Sequence, residues 1–502
     1  MSKRKHRPVY APGHKAPPPP PLPAPPIIPG AAPSPVVGSW RIRHIIDGHL
    51  SVLSPLHVGS GDSRVFAELE REAIDGEGMV TPEVAAIVRD HEGAPYLPGS
   101  TLKGLLRRIG EECLCQDAVT ELFGRPHDDG SGTMGAVMVL GTTIETPGDA
   151  SKMPYAKRLG DKLRAGVFIA GRTRIDRARG IAEHAHLYFQ EMVASGARFR
   201  LPLLLEVRRL GCEMPTQVQE RASNLLRLLV QVLDRLTHAD GQAIGKGQSS
   251  GQGRIRLEYD TLKITAARIG PNGHWLKNDA TNLWWDREKA VAPAAGETFV
   301  LVCPGPFLVL DPSHEPAPVQ GNEPTGPQLI AQRQGDRPLV LGSTILGALR
   351  SRAAWLEACT MLRAGTDPDP KSIDDPDLVL MPGEEIGCLS TIQRLFGVTG
   401  FRGLLEVRAL DVTEGTMADF TSVRLDRFSG APIDNMLFTS STFVGTRIRL
   451  RLALSDRGAW PNDEDRQAFG DLLKDLRCNG IALGHSTNKG FGWFEVEQEA
   501  GA

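Results

Sequence analysis

Cysteine is scarce in this chain. Among 502 residues there are 7, with no CxxC pair and no Cys/His cluster at zinc spacing. That argues against a structural zinc site and reads as buried or free thiols in a reducing compartment. Long apolar runs are lacking too. No stretch approaches the roughly 18 residues that a membrane span needs, and the N-terminal segment has no hydrophobic signal core. The expectation is a cytoplasmic protein with no membrane partner. Charge of one sign is also missing, since 57 Lys+Arg against 60 Asp+Glu leave a formal net charge of −3. A near-neutral total does not advertise nucleic-acid binding, and it does not exclude it. Binding needs a local basic surface, not a basic total.

What is present is proline at one end and repetition through the rest. Residues 1–38 begin "MSKRKHRP" and continue as "APPPPPLPAPP". A basic head (Lys3, Arg4, Lys5, Arg7) followed by prolines cannot bury enough surface to fold, so a disordered tail is expected. Beyond it, four motifs occur twice in the same order. "YLPGSTLKGLLRR" (96–108) returns as "LVLGSTILGALRSR" (339–352), and "ELFGRP" (121–126) returns as "RLFGVT" (394–399). The segment 172–206, opening "RTRID", returns at 422–454 as "SVRLD". "AIGKGQSSGQGRIRLE" (243–258) returns as "ALGHSTNKGFGWFEVE" (482–497). Ser100 and Ser343 are 243 positions apart, Arg174 and Arg424 are 250 apart, and Gly245 and Gly484 are 239 apart. Chance does not preserve order and spacing that well. The chain reads as a tandem duplication: a first domain at 39–261, a linker at 262–298 and a second domain at 299–500.

Each copy has one layout. Residues 40–54 alternate as a strand, and Ser100 suits an N-cap. Leu102, Leu105, Leu106 and Ile109 then form a helical stripe. Strand-like runs follow near 134–143 and 198–208. A helix over about 215–237 carries Leu225, Leu229, Val232 and Leu236 on one face. In the second copy Phe469, Leu472, Leu473 and Leu476 repeat that face. The order is β-α-β-β-α-β, an α+β, ferredoxin-like arrangement with long insertions.

The glycine-rich loop at 244–253 is not a P-loop. Lys246 lies near its start, a helix precedes it and a strand follows, whereas a P-loop sits between a strand and a following helix. The dinucleotide fingerprint fails for the same reason. A glycine loop still lets backbone N–H groups approach an anion. Lys246, Gln248, Ser249 and Ser250 add donors, as do His485, Ser486 and Lys489 in the second copy. A tight helix-to-strand turn is the plain alternative. After the Gly-Ser-Thr motif, Lys103 and Arg107 share a helix face beside Arg108, at a helix start that can itself hold an anion. The second copy keeps Ser343, Arg350 and Arg352. "RTRIDRARG" groups Arg172, Arg174, Arg177 and Arg179, and "VRLDRFSG" offers Arg424 and Arg427. Arginine forks suit phosphates, with Asp176 and Asp426 as the arginines' expected ion-pair partners.

These motifs resemble the RAMP superfamily of CRISPR-associated proteins, in particular the backbone subunits of type III effector complexes. "SPLHVGSGDS" (54–63), "PYLPGSTLKGLLRR", "LFG", "IDRARGIAEHAHLYF" and "GKGQSSGQG" follow in family order. Two fused units resemble the double-backbone fusions of the III-D group. The resemblance implies two tandem RRM-like RAMP domains that stack along a guide RNA (crRNA) with other effector backbone subunits and pair it with a complementary target RNA. Guide phosphates would lie on Ser100, Lys103, Arg107, Arg108, Lys246, Gln248, Ser249 and Ser250. In the second copy they would lie on Ser343, Arg350, Arg352, His485, Ser486 and Lys489. Thumb-like hairpins bearing Arg174, Arg177, Arg424 and Arg427 would cross the guide–target duplex. Target-cleaving members resemble D-x-P-[apolar]-[apolar]-[KR]-D upstream of P-G-S, with the first Asp assisting metal-dependent cutting. Here Val84 falls in that slot, with Glu83 one residue away and Asp75 the nearest upstream Asp. Mg2+ or another divalent ion is implied only with cleavage, and no metal ligands are legible. A rival is a guide-processing endoribonuclease acting alone, with His57, His184 or His186 as acid and base.

Overall fold

A computed structural model describes residues 41–497, apart from 73–78, 127–131, 156–158, 160–161, 177–180, 211–212, 270–274, 286–295, 315–318, 321–322, 325, 376 and 457–459. The expected tail, 1–38, lies outside the described residues.

In the first unit the 40–54 run is two strands, β1 (Arg41–Asp47) and β2 (His49–Val52), broken at Gly48. Helix α1 (Gly99–Cys113) follows. Its N-cap position is held by extended Pro98, so Ser100 lies in the first turn and is not the cap expected from sequence. Strands β3 (Val137–Val139) and β4 (Thr142–Thr146) lead to a ribbon, β5 (Val167–Asp176) and β6 (Ile181–Val193), whose base forms a four-stranded sheet with the strands Glu83–Ile87 and Gly59–Val65. Then come β7 (Arg198–Arg200), β8 (Leu203–Arg208), α2 (Pro215–Leu236) and β9 (Arg254–Leu257). The sheet runs β9-β2-β7-β4, which is the 4-1-3-2 order of a ferredoxin-like fold. Leu225, Leu229, Val232 and Leu236 of α2 are buried against it together with the α1 stripe. Each such leucine or valine contributes roughly 1.5–3 kcal/mol.

The expected linker, 262–298, does not behave as one. Strand β10 (Lys263–Ile269) pairs with β1, and β11 (Trp275–Asp279) pairs with β10. Trp285 is buried in the first core and donates its Nε1–H to the Tyr259 carbonyl at 3.0 Å. Strands β10 and β11 extend a second sheet, β3-β8-β1-β10-β11, so the first unit extends past 261.

The second unit uses β12 (Glu297–Cys303), α3 (Gly342–Arg363), β13 (Leu405–Leu425), β14 (Pro432–Leu454), α4 (Asp463–Asn479) and β15 (Trp493–Val496). The order β15-β12-β14-β13 is again 4-1-3-2. Leu472, Leu473 and Leu476 are buried against it, and Phe469 packs at its margin. The inner halves of β13 and β14 supply core residues such as Val407 and Leu450, while their outer halves are largely exposed.

The two units are docked. Ala150, Met153, Phe168 and Met192 of the first cluster with Leu339 and Leu341 of the second. Tyr155 donates its hydroxyl to the Pro312 carbonyl at 2.7 Å, and Lys152 pairs with Asp336. Farther along, the Val407 N–H donates to the Ser249 carbonyl at 2.9 Å. The first glycine loop is therefore part of the seam between units.

Candidate nucleic-acid interface

Gly245 and Gly253 hinge the first loop at φ 77° and 65°. A Cβ at Gly245 would stand 2.2 Å from the His57 carbonyl, so only glycine fits there. The Lys246 N–H donates to that same carbonyl at 2.9 Å. The predicted donors then divide. Gln248 Oε1 accepts from Arg108 at 2.8 Å and from Arg402 at 2.7 Å, while its Nε2 donates to the Gly245 carbonyl. Ser250 is buried and donates to the Gly247 carbonyl at 2.8 Å. Gln248, Ser250 and Arg108 thus have hydrogen-bond partners inside the loop and the seam, and Gln248 also lines the cleft between the units. Lys246 is exposed. Ser249 lines a cleft of about 590 Å³ between the units, with Gly247 on one side and Arg350, Phe396, Phe401 and Arg402 on the other.

Beneath this cleft four arginines, Arg108, Arg254, Arg402 and Arg408, gather round one buried carboxylate, Glu406. Arg402 reaches Glu406 at 2.6 Å and Arg408 at 3.0 Å. Burial, then Arg408, lowers the Arg254 pKa to about 10. Arg254, Arg402 and Arg408 are not legible as a site in the sequence, because the cluster joins positions 108, 254 and 402–408.

The helix residues are placed alike in both units. Arg107 donates Nη1–H to the Gly124 carbonyl at 3.0 Å, and Arg350 donates Nη1–H to the Gly397 carbonyl at 2.9 Å. Arg107 also pairs with Glu111, and Arg350 forms a two-pronged pair with Asp374 at 2.9 and 2.6 Å. Arg352 is held by Asp475 at 2.6 and 2.7 Å and lies 4.2 Å over Trp355. These three cations have internal partners; Glu111 lies at i,i+4 spacing from Arg107, whereas Asp374 and Asp475 are brought in from 24 and 123 positions away. Lys103 has no carboxylate partner among the described residues, and burial followed by the Arg107 charge lowers its pKa. Ser100 is exposed and Ser343 half-buried at their helix starts. Gly104 and Gly347 occupy the same place in the two helices, both exposed, each with open space where a Cβ would stand. No internal packing requires glycine there.

The second loop copies the bracing of the first. The His485 N–H donates to the Leu308 carbonyl at 2.7 Å, as Lys246 does to His57. Its outer face is uncovered: His485, Asn488 and Lys489 are exposed. Ser486 is left-handed at φ 62° and its Oγ lies 2.7 Å from His485 Nδ1. Burial, then the Lys489 charge, lowers the His485 pKa.

On the second ribbon Arg424 and Arg427 are exposed beside a turn. Asp426 does not pair with them as expected. It accepts from the Phe428 and Ser429 N–H groups at 3.0 and 2.7 Å, and those bonds lower its pKa. Arg174 lies in β5, but its side chain, with Asp176, His184 and His186, lies outside the described residues, as do all of Arg177 and Asp75. Glu83 begins the strand Glu83–Ile87, is exposed and accepts from Ser63 Oγ at 2.8 Å. Among the described residues no three His, Cys, Asp or Glu side chains are placed to hold a metal ion. His57 is buried, with Nδ1 2.7 Å from the Glu191 carbonyl. Its ladder counterpart in the second unit is Leu308. An inaccessible imidazole in one unit does not fit an acid–base pair.

Fold and site together define a tandem pair of ferredoxin-like units, each presenting a braced glycine loop beside a Gly-Ser-Thr helix. The chain matches the RAMP superfamily over residues 49–256 and 293–495, one match per unit, and belongs to that family. Membership gives it a CRISPR-associated RNA-binding role. No curated protein matches it. No helix among the described residues is long and apolar enough to cross a membrane.

Proposed function

We propose that the chain is a guide-RNA (crRNA) backbone-binding structural subunit of a type III CRISPR effector complex that targets RNA in the cytoplasm. One observation supports this most. The first loop is capped by the second unit to make a cleft, whereas the equivalent second loop is bare. A head-to-tail contact that does not close repeats along a line. The bare loop then seats a further backbone subunit, and the line of loops follows one RNA strand. Lys246, Ser249, Lys103, Ser100, Ser343, Ser486 and Lys489 contact phosphates, giving binding without sequence preference that weakens as salt rises. The second ribbon, bearing Arg424 and Arg427, reaches toward the guide–target duplex.

Co-expression with a guide array tests this. RNA of defined length is expected to copurify with partner subunits. Recovery of the protein alone, cutting repeat RNA by itself, would overturn the scaffold reading. Target cutting is a separate step for the first unit, in which Glu83 with Asp75 would hold the divalent ion that activates the attack on the target backbone. Unchanged cutting by Glu83→Ala and by Asp75→Ala complexes in magnesium removes both acids from that role.

A further inference from the structure

Each ribbon carries an exposed aromatic ring at one ladder position. In the first unit it is Tyr188, 47 % exposed, with Lys246 Nζ 6.0 Å from the ring centroid. In the second it is Phe438, 42 % exposed. The ladders show that these are the same position. Leu56 bridges Val193 as Phe307 bridges Phe443, and counting back along each strand brings Tyr188 onto Phe438. A large aromatic ring left nearly half exposed at the same structural position in both units is not accounted for by burial in either core.

The surroundings differ. Arg172 lies directly across the ladder from Tyr188, so the two share a face. Its Nε and Nη2 are buried and have no hydrogen-bond partner among the described residues. Burial, then Lys246 and Arg172, lowers the pKa of the neighbouring His57 against the raising effect of the Glu191 carbonyl. Two cations thus flank one ring, and one of them has unspent donors. In the second unit Ser422 takes the place of Arg172. Phe420 lies diagonally from Phe438 on one face of the ribbon and meets Phe491 of the second loop edge-on, with centroids 6.0 Å apart. That shelf is aromatic without a guanidinium.

We propose that Tyr188 and Phe438 are equivalent stacking platforms for single-stranded nucleobases, one per unit. The first holds a nucleotide by base and phosphate together, through Tyr188, Arg172 and Lys246. The second holds one by stacking alone, on Phe438 and Phe420. This rests on the RNA-binding reading above. Every base has a π-face, so the platforms add affinity without sequence preference.

The test is fluorescence anisotropy of the full chain with an oligouridine long enough to span both units. Tyr188→Ala and Phe438→Ala are each expected to weaken binding about 5- to 150-fold. Tyr188→Phe restores it, because a ring is all the platform needs. The slope of log affinity against log salt stays unchanged in both alanine variants, while Arg172→Ala lowers it by about 1. An abasic ribose scanned along the oligomer supplies the second arm. At one position the abasic loss and the Tyr188→Ala loss should not add. Full additivity at every position, or wild-type affinity in both alanine variants, sinks the platforms. If Lys246→Ala still weakens binding in that case, the RNA-binding reading stands without them. If the wild-type chain binds no RNA at all, it is that reading which falls.

Discussion

Lys246 and His485 hold the same place in their loops and differ in what they offer a phosphate. Lys246 offers an amine on a flexible stem, whereas His485 offers an imidazole whose pKa is lowered by burial and then by the Lys489 charge, away from the charged form. Lys246→Ala is expected to weaken RNA binding and lower the salt slope by about 1. His485→Ala should change affinity little at neutral pH and cost more only in acid, which a binding titration against pH will show. A second histidine acts on stability instead. Burial lowers the His44 pKa from 6.5 to about 4, and its Nδ1 has no partner. The unfolded chain protonates first as pH falls, so His44 is harmless above about pH 6.5 and progressively destabilising down to about pH 4. The full loss is roughly 3 kcal/mol. Thermal melts of His44→Phe should lack that part of the acid decline. None of this is visible in the residue types alone. A histidine in "IRHIID" alternates like any strand residue, and only the cover from both sides makes it buried.

At the scale of elements, α1 and α3 each carry an exposed glycine near the middle of a turn sequence that otherwise favours helix. A helical glycine costs about 1 kcal/mol against alanine. Gly104→Ala has open space for its methyl group, so it should raise stability by about that amount and weaken RNA binding if a backbone approaches the helix there. Denaturant melts and anisotropy on one preparation separate the two effects. The helices themselves were legible. Leu225, Leu229, Val232 and Leu236 recur at helical spacing and are all buried. The ribbons were legible only as arginine-bearing insertions. Their length in the second unit, 21 and 23 residues per strand, comes from cross-strand pairing that continues past the core. The Ser100 cap failed because Pro98 already has the extended geometry that the position needs.

At the scale of the molecule, the seam joins loop, arginine cluster and helix start. A Cβ at Gly342 would lie 1.8 Å from the Ser250 carbonyl. Gly342→Ala should therefore loosen the docking of the units, costing about 1–3 kcal/mol and splitting one calorimetric transition into two. RNA spanning both units is expected to restore a single transition, because a ligand bound by the docked form stabilises it. A Gly342→Ala variant that still melts in one transition without RNA would show that the contact at Gly342 does not govern the coupling of the units.

The sequence by itself determined the duplication, the ferredoxin-like order in each copy, the helix faces and the two glycine loops. Those features rest on local periodicity and on repeated motifs, which need no knowledge of distant neighbours. Only the tertiary structure decided which donors are available. Gln248, Ser250 and Arg108 look as open as Lys246 in the sequence, but Ser250 donates to the Gly247 carbonyl, Arg108 to Gln248 and to the Ala243 carbonyl, and Gln248 also accepts from Arg402 of the other unit. It also decided that 263–269 and 275–279 extend the sheet of β1, and that Arg172 and Lys246 both stand beside Tyr188. Each of those outcomes depends on pairing between residues far apart in the chain, where hydrogen-bond registry and steric fit, not local pattern, set the result.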